Sequence, residues 1–78
     1  MSATIRFLNN LKPFQPEADA DGIWRVPPGK TIQEVVDQSG VEGCGEEFMY
    51  TVNGGAVLRK YALKDGDELI FMSPFAGG

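Results

Sequence analysis

One sharply bounded helical segment limits what this chain can fold into. Thr31 and Glu34 stand three residues apart at the start of an apolar stripe. The Thr31 hydroxyl and the Glu34 carboxylate can therefore satisfy two orphan backbone N–H groups reciprocally, as a capping box. Ile32, Val35 and Val36 fall at i, i+3 and i+4 and form a narrow apolar face. Gly40 stands where a helix ends on a left-handed residue. These signals predict a helix over 32–39. A helix this short is marginal in water and must pack its stripe on a partner layer. That layer has to come from the strand-like runs on either side.

Thr4-Ile5-Arg6-Phe7-Leu8 alternates and is rich in strand formers, which predicts strand one with Ile5 and Phe7 inward. Residues 9–22 hold Asn9, Asn10, Pro13, Pro16 and the run Glu17-Ala18-Asp19-Ala20-Asp21-Gly22. They read as a long acidic loop with Phe14 as an anchor. Ile23-Trp24-Arg25-Val26 is a second strand, ended by Pro27-Pro28-Gly29, and Trp24 is a packing residue. Beyond the helix, Gly40-Val41-Glu42-Gly43-Cys44-Gly45 reads as the helix stop and a flexible loop. Phe48-Met49-Tyr50-Thr51-Val52 is a third strand, and Asn53-Gly54 is a strong two-residue hairpin signal, since both residues tolerate positive φ. The expectation is a brief strand over 56–58 and an irregular stretch that turns Tyr61 and Leu63 inward. Asp65-Gly66-Asp67 is a tight turn, with Asp65, Asp67 and Glu68 read as solvated, leading into a last strand over 68–72. The class is α+β: a mixed sheet of about five strands with one main helix on one face, the order of a β-grasp (ubiquitin-like) fold. Residues 1–72 form the domain and 73–78 a flexible diglycine tail.

The inventory excludes several kinds of chemistry. At 78 residues the chain is one small domain. Eleven acidic against seven basic residues, a net charge of -4, argue against a nucleic-acid partner and suit solubility or docking to a basic protein surface. No apolar run approaches the length of a membrane span, and the lone Cys44 fits a reducing, cytoplasmic setting. There is no histidine, hence no imidazole base or ligand, and one cysteine cannot build a zinc site. The glycines of 40–45 match neither dinucleotide nor P-loop spacing. The expectation is a protein without a metal, without a bound cofactor and without catalysis of its own.

What remains is the ending, Ser73-Pro74-Phe75-Ala76-Gly77-Gly78, placed directly after the last strand. Together with Val52-Asn53-Gly54 and Leu63-Lys64-Asp65-Gly66-Asp67-Glu68-Leu69, it resembles the MoaD/ThiS family of ubiquitin-like sulfur carriers. That resemblance implies a partner of the ubiquitin-activating type, which consumes ATP to adenylate the Gly78 carboxylate. Sulfur then displaces AMP to leave a thiocarboxylate. A biosynthetic enzyme such as the large molybdopterin synthase subunit takes the sulfur for the molybdenum cofactor. Sulfur donation to thiamin thiazole or another metabolite is the alternative, followed by a ubiquitin-like protein modifier or a non-covalent β-grasp interaction module.

The chemistry accounts for the residue types. Activation turns a poor electrophile into a mixed anhydride and splits one hard step into two. Residues 73–78 can extend about 20 Å at roughly 3.3 Å per residue, enough to thread a partner's channel. Gly77 and Gly78 let partner backbone approach closely, Pro74 stiffens the exit, and Phe75, followed by Ala76, is an apolar anchor. Strand parity turns Leu69 and Phe71 to the helix and leaves Ile70, Met72 and Met49 outward, and with Phe75 these are expected to form an exposed apolar patch suited to a partner.

Overall fold

A computed structural model describes residues 1–74. Among them four strands form one sheet: β1 (Ala3–Phe7), β2 (Trp24–Val26), β3 (Met49–Val52) and β4 (Glu68–Met72), with one α-helix, α1 (Ile32–Ser39). The spatial order is β2-β1-β4-β3. The central pair, β1 and β4, is parallel, and each edge strand runs antiparallel to its neighbour. Since β2 and β3 lie at opposite edges, the chain between them must cross the sheet, and α1 makes that crossing. This is the β-grasp arrangement.

Alternation dictates which face is covered. Ala3, Ile5 and Phe7 of β1, Trp24 and Val26 of β2, and Leu69 and Phe71 of β4 are all buried. They meet Ile32, Val35 and Val36, the stripe of α1, in one core. Phe7 and Phe71 are register partners, and their rings stack at 4.5 Å between centroids. Phe48 and Tyr50 close on Phe71 from the β3 side. Truncating a buried phenylalanine at such a junction costs about 3–5 kcal/mol, which ties the central strands firmly together.

The helix has the bounds its caps predict. Thr31 accepts from the Glu34 N–H while Glu34 accepts from the Thr31 N–H, and Gly40 at φ 71° closes the other end. The Glu34 carboxylate accepts from both the Thr31 N–H and the Thr31 hydroxyl, and these two bonds hold it below its ordinary value. Beyond Gly40 the expected flexible loop is instead a 3-10 helix, Val41–Cys44, because Val41 is drawn into the core.

Two other expectations need correcting. The 9–22 loop opens with a 3-10 helix, Asn9–Phe14, since Leu11 is buried and anchors it, while Phe14 packs partly against the core as expected. After it the chain is internally tied. The Gln15 side chain accepts from the Phe7 N–H at 3.0 Å, extending a ladder that β2 has left, and donates to the carbonyls of Glu17 and Gly22. Asp19 accepts from the N–H groups of Ile23 and Asp21 and from Arg25, which together hold its carboxyl below the ordinary range.

The fifth strand over 56–58 does not form among the described residues. Asn53 (φ 52°) and Gly54 (φ 84°) make the predicted tight turn, but it closes with a single bridge between Val52 and Gly55. The chain then leaves the sheet. Its bonds go instead to the start of α1, where Gln33 N–H donates to the Arg59 carbonyl and Ile32 N–H to that of Tyr61. Leu63 is buried and Tyr61 half-buried, as their inward reading requires.

Candidate functional site

The parallel pairing of β1 and β4 decides where the chain end emerges. β4 runs toward the same end of the sheet as β1, and Leu8 N–H donates to the Phe71 carbonyl at 2.9 Å as the two strands finish. Ser73, next after β4, is buried, and Pro74 is exposed. Ser73 and Pro74 therefore stand at the end of the sheet where β1 gives way to the 3-10 helix Asn9–Phe14. Phe75, Ala76, Gly77 and Gly78, four of the residues read as functional, lie outside the described residues.

The opposite end of β4 is fixed by a polar junction that the sequence reading placed in solvent. Asp67 is buried, at 7% exposure. Its Oδ2 accepts from the Tyr61 hydroxyl at 2.6 Å and the Lys64 N–H at 2.8 Å, and its Oδ1 accepts from Asn53 Nδ2 at 2.9 Å. Asn53 Oδ1 in turn accepts from the Glu68 N–H. Burial without these donors would oppose the charge. Led by the Tyr61 hydroxyl, they outweigh it and hold the Asp67 carboxyl below its ordinary value, while the same contact pushes the Tyr61 hydroxyl up. Asp65 and Glu68 are exposed, so the solvated-turn reading holds for them and fails for Asp67. The residue is a structural clamp that joins the Asn53-Gly54 turn, the Tyr61 loop and the first residue of β4.

On the outer face the predicted trio does come together. Met49 and Met72 are register partners, and Ile70 pairs with Thr51 on one side and Arg6 on the other. Met49 is 45% exposed, and Ile70 and Met72 are half-buried. Three apolar side chains thus share a face that the core does not use, next to the strand end from which the tail leaves. Sequence parity groups Met49, Ile70 and Met72, and it also turns Arg6 outward as a surface cation able to meet a partner carboxylate or phosphate. The place of Arg6 beside Ile70, in contrast, depends on a pairing between strands some sixty residues apart.

Other candidate chemistry is thin. Cys44 is half-buried against the core and its thiol donates to the Glu46 carbonyl. Among the described residues no cluster of side chains is suited to hold a metal, and no helix is long and apolar enough to cross a membrane.

Comparison with known proteins agrees with this geometry. The model of the ThiS family matches residues 5–78, a span that takes in β2, β3, β4, the last three residues of β1 and both terminal glycines. The crystal structure of SAMP1 from Haloferax volcanii superposes with a TM-score of 0.64 at 20% identity, over 100% of both chains, and so shares the fold. Among curated proteins, none matches the chain.

Proposed function

The chain belongs to the ThiS family of small ubiquitin-like proteins, carriers rather than enzymes, and from that premise we propose that Gly78 carries sulfur as a C-terminal thiocarboxylate. The observation that carries the reading is the family match running through Gly77 and Gly78, on a domain whose last strand delivers the chain to the rim of an apolar face. A partner of the ubiquitin-activating type binds ATP. The Gly78 carboxylate attacks the α-phosphate and pyrophosphate leaves. A sulfur nucleophile then adds to the acyl carbon, the bond from that carbon to the phosphate oxygen breaks, and AMP departs with the electron pair. The chain itself holds no cofactor in this scheme and supplies the acyl group and the docking surface.

Met49, Ile70 and Met72 form that surface, with Pro74, Phe75 and Ala76 leading from it into the partner's channel. The sheet backbone is already ordered, and the two methionine side chains can adapt to the partner's contour, so such a patch gives affinity without rearrangement of the strands. The onward acceptor is a sulfur-inserting biosynthetic enzyme, with the large molybdopterin synthase subunit the first to try and a thiazole-forming enzyme the second. The setting is cytoplasmic.

Removal of Gly78 tests the reading. With the adenylating enzyme and ATP, the full chain should support pyrophosphate exchange, and the chain lacking Gly78 should not, while both melt at the same temperature. Equal exchange by the shortened chain would overturn it.

A further inference from the structure

The whole-chain charge of -4 suits a basic partner, but two cations, Arg6 and Lys12, stand near the end of the sheet at which β1 and β4 finish. Arg6 pairs in register with Ile70, so its guanidinium stands in the same row as the apolar patch. It is exposed, and among the described residues it has no hydrogen bond, ion pair or ring contact. The same holds for the ammonium group of Lys12, on the 3-10 helix that follows β1. Arg6 and Lys12 line one cavity of about 300 Å³, together with Leu8, Gln15 and Asp21.

The other cations are mostly committed. Arg25 is bonded to Asp19 and Arg59 to Glu42. Lys30 donates to Gln38 and lies over Trp24, and Lys64 lies over Tyr61. The acid on the outer face of β4 is Glu68, a register partner of Thr4, and it forms no pair with Arg6.

A partner that covers Ile70 and Met72 must also strip water from Arg6. Burying an unpaired cation is unfavourable, so such docking is opposed unless the partner brings an acceptor. We propose that the surface docking on this face carries carboxylates positioned for Arg6 and Lys12. The adenylating partner thus presents an acidic, apolar-centred patch, not the basic one that net charge suggests. This rests on the carrier reading and specifies the partner chemistry of that same face.

The test is steady-state pyrophosphate exchange with the purified adenylating enzymes encoded in the same genome, with carrier concentration varied. Arg6→Glu should raise the carrier KM at least about tenfold at roughly 0.05 M salt with kcat unchanged, and Lys12→Glu about threefold, as rim and near-centre charges do. At roughly 0.5 M salt the differences should shrink, since screening weakens exposed pairs. Lys60→Glu, at an exposed cation in the loop whose neighbours Arg59 and Tyr61 bond to the start of α1, is the control and should leave KM unchanged. Arg6 and Lys12 hold nothing in the fold, so melting temperatures should match wild type; Arg6→Gln, expected to raise KM less than Arg6→Glu, is a second variant free of new repulsion. Wild-type KM values for Arg6→Glu and Lys12→Glu at both salts, or lowered ones, would overturn the inference and leave the carrier reading intact. A wild-type chain that supports no exchange with any of those enzymes would instead refute the carrier reading, and the inference with it.

Discussion

Replacing Asp67 by asparagine should be far more damaging than its near-identical shape suggests. Both carboxylate oxygens receive N–H donors, Oδ1 from Asn53 and Oδ2 from Lys64, and Oδ2 also receives the Tyr61 hydroxyl. An amide has only one oxygen to offer. Turned one way, its NH2 group faces the Lys64 N–H; turned the other, it faces Asn53 Nδ2. Asn53 cannot rotate to relieve the clash, because its own oxygen accepts from the Glu68 N–H. One charge-assisted bond is lost outright and the others fall to neutral strength, so the expected cost is about 2–4 kcal/mol. For a domain of this length total stability is about 4–12 kcal/mol, so the loss is a large fraction. Urea unfolding followed by the fluorescence of buried Trp24 measures it directly. The pH dependence carries a second signature. The folded carboxyl lies below its ordinary 3.8, so its contribution is present in full above 3.8 and fades as pH falls through the folded value. Wild type and Asp67→Asn should therefore differ by a constant amount at neutral pH and converge in acid. A cost below about 0.5 kcal/mol, the range of inert surface changes, would refute the clamp.

Other outcomes follow from the same structure. Thr31→Ala removes one arm of the capping box and should cost about 1 kcal/mol in the same urea assay. The double variant Ile70→Ser/Met72→Ser should weaken binding to the adenylating enzyme by about 1–3 kcal/mol, read by calorimetry, while urea unfolding stays near wild type. Unchanged affinity would remove the outer face from the docking surface.

Much of the fold was legible in local pattern. The Thr31/Glu34 box and Gly40 set the helix ends, and strict alternation set the inward faces of β1 and β4, because each of these signals is a short-range rule obeyed by adjacent residues. The errors came where a long-range contact overrode the local one. Ala56 to Leu58 follows an ideal turn, yet the chain is recruited to the start of α1 and no strand forms. Leu11 and Val41, apolar residues inside segments read as loops, pull those segments into 3-10 turns. Asp67 looked like one more acid in a polar turn; its three donors come from residues 3, 6 and 14 positions away, and nothing in the sequence shows their convergence. The outer trio was found by parity alone, whereas the sign of the charge beside it required knowing that β1 and β4 are neighbours.

The central claim is that Gly78 is an acyl carrier for sulfur, and intact mass spectrometry addresses it most directly. Incubated with its adenylating enzyme, ATP and a sulfur donor, the full chain should gain the mass by which one sulfur exceeds one oxygen. Fragmentation should place that gain on Gly78. A chain that supports pyrophosphate exchange yet keeps its original mass, or appears only joined to lysines of other proteins, would contradict the account.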